Sequence, residues 1–352
     1  MTDDSTTYAG DSALDRLLEE AGSPYAAAGV RDLLPGVLAA PEGPDPRAWM
    51  SLVAAAPSDA LERQLAALRA EVSAALGAAA TSPGATHGER LSALREELAR
   101  QDLGGFLVPL ADEHQGEYLA PGARRLAWLT GFTGSAGLAV ALAESAAIFV
   151  DGRYTLQARD QVDADLFAPQ HLIDEPPERW IAANLPREAR LGYDPWLHTQ
   201  DQVARLRRAA EKAGGALVPA GSNPIDAVWR DQPAPPVAPV APHSVAHAGR
   251  ESADKRRELG RGLEEDGVDA AVLTLPDSIA WLLNVRGGDV AHTPLPLSFA
   301  VLHADGKVAW FVDRRKLVPG LADHLGPEVT VGAAEDLGPA LDALGAAGRG
   351  VQ

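Results

Sequence analysis

Leu126-Ala-Trp128-Leu-Thr-Gly-Phe-Thr-Gly-Ser-Ala-Gly137, and after it Ala147-Ile-Phe-Val-Asp151-Gly-Arg153, decide the fold, because the chain writes the same pattern again. The second writing is Ile279-Ala-Trp281-Leu-Leu-Asn-Val-Arg-Gly-Gly288, then Val308-Ala-Trp-Phe-Val-Asp313-Arg-Arg315. Trp128 precedes Asp151 by 23 residues and Trp281 precedes Asp313 by 32. Each copy also opens alike. Thr86-His87-Gly88-Glu89 has capping-box spacing and leads into Leu91, Leu94 and Leu98 on one helical face. The short apolar strand Leu103–Pro109 follows. In the second copy a helix over Lys255–Asp266, with Leu259 and Leu263 on one face, leads into Gly267–Pro276. A repeat that keeps its order outweighs any single motif. Helix and strand signals alternate in both copies, which predicts two tandem α/β domains, each with a mixed sheet flanked by helices.

Working outward, residues 1–82 read as a helical extension. Ser12 is placed to cap a helix bearing Leu14, Leu17 and Leu18. Ser58 is placed to cap a longer one bearing Leu61, Leu65, Leu68, Val72 and Leu76, with Gly77 as its stop and a linker over 78–86. The first α/β domain spans 88–222. Residues 223–253 carry Pro224, Pro233, Pro235, Pro236, Pro239 and Pro242, a density that predicts an extended connection. The second α/β domain spans 254–352. It lacks a counterpart of Ala189–Pro219, so it is expected to be incomplete, with an unpaired sheet edge. The chain then reads as the front part of a larger protein.

Composition narrows the function. The chain has 352 residues, 46% hydrophobic and 23% charged, close to a soluble average. No run of about 18 apolar residues is present, so no membrane span is expected. The acidic start, Met1-Thr-Asp-Asp-Ser5, predicts no secretory signal. There is no cysteine, which excludes disulfides and thiolate metal sites and fits a reducing cytoplasm. The net charge of −18 would repel a phosphate backbone, so nucleic acid is not expected as a partner. The basic groups Arg124-Arg125, Arg207-Arg208, Lys255-Arg256-Arg257 and Arg314-Arg315-Lys316 are read as solvated faces.

Three constellations bear chemistry. Asp112-Glu-His114-Gln-Gly-Glu117 gathers carboxylates and an imidazole. A metal there would need ligands from elsewhere, and the plainer reading is a loop that bonds its own backbone. Gly131–Gly137 matches neither a dinucleotide fingerprint nor a P-loop nor a nucleophile elbow, and is read as a glycine-dependent turn before a strand. Asp151-Gly-Arg153-Tyr154 sits where a strand runs into a helix, at the carboxyl end where α/β ligands gather. Arg153 can grip a peptide carbonyl or carboxylate there, or form a structural pair with Asp151. Trp128 and Trp281 are read as core residues. Arg286-Gly-Gly-Asp289 with His292 is read as a domain-contact loop.

Together with Pro109–Tyr118, Val150–Gln157, Gly192-Tyr-Asp-Pro195, Asn223–Trp229 and Ser278–Asp289, these stretches resemble the amino-terminal two domains of the Xaa-Pro aminopeptidase (aminopeptidase P) family. The resemblance covers about Glu89 to Gln352. It implies two creatinase-like α/β domains followed by a pita-bread metallopeptidase domain that is not part of this chain. The implied full-length activity is removal of an N-terminal residue that precedes proline, using two divalent ions, usually manganese, in a cytoplasmic homodimer. No catalytic or metal residue carries over. Arg153 matches a family arginine near the substrate cleft, and Asp112, His114 and Glu117 match a stretch in the cleft wall or dimer contact. The chain alone is expected to be inactive. The other reading is a non-catalytic peptide- or protein-binding module, or the remnant of a truncated gene.

Overall fold

The computed structural model describes residues 7–41, 43–80 and 85–352. The acidic start and residues 81–84 of the expected linker over 78–86 lie outside them, while 78–80 belong to a helix rather than to a linker. The chain divides into two compact units. One joins residues 1–78 to 233–352, and the other is residues 79–232.

The helical extension consists of α1 (Asp11–Glu20), α2 (Ala27–Ala39) and α3 (Asp59–Ala80). Ser12 lies inside α1, whose N-cap is Gly10, so it caps nothing there. Ser58 Oγ does accept the Leu61 N–H, at 3.3 Å. The helix it starts passes through Gly77 to Ala80, because a lone glycine costs a helix only about 1 kcal/mol. Leu14, Leu18, Leu33, Leu34, Leu61, Leu65 and Leu68 form the extension's core, together with Val237 of the proline-rich stretch.

The 79–232 unit begins with α4 (His87–Arg100), and the capping box is made: Thr86 Oγ1 accepts the Glu89 N–H, and the Glu89 carboxylate accepts the Thr86 N–H at 2.7 Å. Then come β1 (Gly105–Pro109), α5 (Arg125–Thr130), β2 (Gly137–Leu142), β3 (Ala146–Val150), α6 (Thr155–Gln161), β4 (Ala168–His171), α7 (Pro177–Asn184), β5 (Arg190–Tyr193), α8 (Gln200–Ala213), β6 (Ala216–Pro219) and α9 (Pro224–Val228). The sheet order is β4-β3-β2-β1-β5-β6. β2 runs antiparallel to β1 and β3, and the outer pairs are parallel. Strand alternation sends side chains to two layers. Ile148 and Val150 join α4 and α5 on one side, while Ala147 and Phe149 join α7 and α8 on the other.

Residues 223–229 are not extended. Asn223 Oδ1 caps α9, and Ile225 and Trp229 enter the first core, where Trp229 stacks on Trp128 at 5.3 Å. Proline at the first turn of a helix is compatible with that helix.

The rest of the other unit holds β7 (Ala241–Pro242), α10 (Val245–Ala248), α11 (Ser252–Glu265), β8 (Ala270–Leu273), α12 (Pro276–Leu283), β9 (Val285–Arg286), β10 (Phe299–His303), β11 (Val308–Phe311), α13 (Leu321–Leu325), β12 (Val329–Gly332) and α14 (Leu337–Ala346). The sheet order β12-β11-β10-β8 repeats β4-β3-β2-β1, with the same directions. The free side of β8 is not bare. Val351 bridges Ala270 in parallel, and the Val272 N–H reaches Gln352 O at 2.9 Å, the place β5 takes beside β1.

Candidate functional site

In the 79–232 unit the carboxyl ends of β1, β3, β4 and β5 bring the polar residues to one edge of the sheet. After β1, Asp112 is buried, and its Oδ1 accepts the N–H groups of His114 (3.0 Å) and Gly116 (2.9 Å). Gln115 takes a left-handed φ of 54° to close that turn. The loop therefore bonds its own backbone. Asp112 Oδ2 is buried with no partner among the described residues. His114 is buried and Glu117 exposed.

After β3, Arg153 forks onto Asp151: Nη2 donates to Oδ2 at 2.7 Å and Nε to both oxygens at 3.2 Å, while the Arg153 N–H donates to Oδ1 at 2.9 Å. The structural pair thus exists. It leaves Nη1 clear of Asp151 on a side chain that is 66% exposed. Hydrogen bonds from Arg153 hold the Asp151 carboxyl below its usual range. The carboxylate, and further off Glu117, strengthen the proton's hold on Arg153. Glu117 and Arg153 therefore share one neighbourhood. The Arg153 guanidinium lies 5.1 Å from the Tyr154 ring centroid, and the Tyr154 hydroxyl shares a 2.7 Å hydrogen bond with Ser135. That bond holds the phenol below its ordinary value. It also explains the glycine-dependent turn: a Cβ at Gly134 would stand 2.3 Å from the Phe132 ring and 2.8 Å from Tyr154.

The second copy rebuilds the fork. Arg315 Nη2 donates to Asp313 Oδ2 at 2.6 Å and Nε to both oxygens at 3.0 Å. Here the arginine is less open, with its side chain 39% exposed. Tyr25 of the helical extension lies close enough for its phenol to feel both Arg315 and Asp313, though burial chiefly raises that phenol. A second duplicated device was not legible in the sequence. Arg90 Nη1 donates to Trp128 O at 2.6 Å with the guanidinium 5.1 Å from the indole centroid. Lys255 Nζ donates to Trp281 O at 2.7 Å and lies 4.5 Å from that indole.

The basic groups are not all solvated faces. Lys255, Arg256 and Lys316 are buried, not solvated, because each finds carbonyl or carboxylate acceptors inside its unit. Arg125 is buried too, forked onto Asp226 at 2.7 and 2.9 Å. Trp281 is 47% exposed, since Lys255 covers only one face of it. Asp289 is fully buried, so it is no surface contact. Its Oδ2 accepts Lys316 Nζ and the Leu297 N–H, both at 2.7 Å, and its Oδ1 accepts the Ala238 N–H at 3.2 Å.

The profile of the creatinase/prolidase N-terminal domain matches residues 90–228, and a second profile of the same description matches 231–351. The chain belongs to the creatinase/prolidase N-terminal domain family. It is 35% identical to aminopeptidase P1 of Lotus japonicus over 238 residues, 67% of this chain and 36% of that protein. It is 34% identical to a probable Xaa-Pro aminopeptidase P of Paracoccidioides brasiliensis over 246 residues, 69% of this chain and 40% of the relative. A solved X-prolyl aminopeptidase of Caenorhabditis elegans, described as a cytosolic enzyme with a di-nuclear active site, superposes with a TM-score of 0.69 at 29% identity, covering 76% of this chain and 46% of its own. The chain thus spans about two fifths of the curated relatives' length. The α/β architecture is as the repeat predicts, and its creatinase type is as the resemblance implies. Among the described residues no group of three or more His, Asp or Glu is placed to hold a metal ion. The described residues therefore offer no ligand set for the two ions of that relative. Among the described residues no helix is long and apolar enough to cross a membrane.

Proposed function

We propose that this chain supplies the first two domains of a proline-specific metallo-aminopeptidase, which removes the residue preceding proline at a peptide's N-terminus. The observation that carries this reading is the 35% identity to an aminopeptidase P over 238 residues. In it, the carboxyl edge of the 79–232 unit forms part of the substrate cleft. Arg153, set by its fork on Asp151, offers Nη1 to a peptide carbonyl or carboxylate, as a planar guanidinium does well. Asp112 shapes the loop that presents Glu117 beside it, with His114 buried in the same loop. The two divalent ions, manganese in this reading, belong to a further domain, and the working enzyme is a cytoplasmic homodimer. The 352-residue chain alone therefore does not hydrolyse Xaa-Pro bonds. The test joins it in frame to the metal-binding domain of an aminopeptidase P. The fusion is expected to cleave short Xaa-Pro peptides, with Arg153→Ala raising KM. An Arg153→Ala fusion that matches the parent in KM and kcat would refute the arginine's role. Manganese-dependent turnover by the unfused chain would refute the division of labour.

A further inference from the structure

This chain carries 49 acidic and 31 basic residues, so cations without carboxylates are conspicuous. A cluster of them lies where β7 meets β9. The His243 N–H donates to Asn284 O at 2.7 Å. Asn284 Oδ1 accepts Lys255 Nζ at 2.7 Å, and its Nδ2 donates to Arg250 O at 2.8 Å. The His243 and His247 rings stand 5.8 Å apart. Arg286, on β9, sends Nη1 to Val285 O at 2.8 Å. Among the described residues, His243, His247, Arg286 and Lys255 form no ion pair, whereas Arg250 is matched by Glu258 at 2.6 Å. The groups feel one another. Burial, then the positive charges of Arg286, His247 and Lys255, hold His243 below its ordinary value.

Two imidazoles beside a guanidinium and an ammonium group would repel a metal cation and attract an anion. Apolar contact points adjoin them: Trp281 is 47% exposed over Lys255, and Val245, 37% exposed, lies between the two histidines in sequence. Tryptophan and arginine are residue types that protein-contact hot spots favour. Several separated cations with an aromatic face match several carboxylates around an apolar side chain better than one small anion. We propose that this face of the second creatinase-type domain docks an acidic peptide segment, with carboxylates on Arg286, His243 and His247 and an apolar side chain against Trp281. The chain's own negative charge does not prevent this, because at about 0.1 M salt charges beyond about 10 Å are screened. The proposal is independent of the peptidase reading.

The full 352-residue protein is titrated, by fluorescence anisotropy, with a labelled peptide carrying several glutamates around one phenylalanine. Saturable binding is expected, tightening as pH falls below about 6.5, the ordinary imidazole value, because His243 is held beneath it. Arg286→Gln and the surface change His247→Glu are each expected to weaken it about tenfold, one close charge pair, with the melting temperature of the His247 variant unchanged. Absence of binding overturns the proposal. So does equal binding of the glutamine-for-glutamate peptide, or unaltered binding by both variants. Displacement by inorganic phosphate as effective as by unlabelled peptide would make this a simple anion site and overturn it as well.

Discussion

Replacing Lys316 by methionine probes the buried pair that ties the proline-rich stretch to the second sheet. Lys316 Nζ sits 2.7 Å from Asp289 Oδ2, with side chains 6% and 0% exposed. Methionine fills similar space but leaves the carboxylate with only the Ala238 and Leu297 N–H groups. Breaking one side of such a pair costs about 3–5 kcal/mol. For a unit of this size that lowers the melting temperature by about 6–20 °C. The pH dependence has a definite sign. Burial already pushes the Asp289 carboxyl up against the pull of Lys316, and without the lysine the push is less opposed. An acid whose folded value lies above its unfolded value, about 3.9, holds its proton more tightly when folded. Its contribution to stability therefore improves as pH falls through the folded value, and is lost as pH rises through it. Relative to the parent, the Lys316→Met deficit is expected to be full at neutral pH and to shrink on acidification. Adding Asp289→Asn should restore about 2 kcal/mol or more, because the stranded charge is gone. Urea unfolding of the three proteins across pH measures this. A deficit under about 1 kcal/mol, or one flat with pH, would show that the pair is not what holds the segment.

Three further outcomes follow from the geometry. Thr86→Ala should destabilise the 79–232 unit by about 1 kcal/mol through loss of the cap, read by chemical denaturation of that transition. Gly36→Val should cost about 1–3 kcal/mol, since even a Cβ there would stand 2.5 Å from Val237 Cγ2 and 3.0 Å from Pro235 O; a melting temperature equal to the parent's would contradict the packing. Arg125→Met should cost about 2 kcal/mol by removing a charge-assisted fork, whereas Arg153→Ala, whose fork lies in solvent, should leave the melting curve in place; calorimetry distinguishes them.

The repeat made the fold legible, because strand alternation and helix periodicity are local properties that survive divergence. The Thr86 box was legible for the same reason. The Asp151–Arg153 fork was visible only as one of two choices, since two residues' separation says nothing of which way a guanidinium turns. The cation–tryptophan clasps were invisible. Arg90 and Trp128 are 38 residues apart, Lys255 and Trp281 only 26, and their acceptors are backbone carbonyls that no residue type announces. Burial of Lys255, Arg256 and Lys316 was missed likewise, as basic runs are ordinarily solvated and only tertiary acceptors reverse that. The helix at Pro224–Val228 was masked by proline density, although Asn223-Pro224 is itself a helix-start signal.

The division of the chain also sets an order of events during synthesis. One unit is split in sequence, with residues 79–232 standing between its two parts. The helical extension leaves the ribosome first, yet Val237, which closes its core, emerges only after the whole intervening domain. That domain has every segment it needs and can fold at once. The extension must wait with its leucines uncovered, and the intervening domain, once folded, shortens the loop whose closure entropy grows with its length. Nascent-chain lengths that end before Val237 are thus the window in which this protein is most exposed to chaperones and to aggregation.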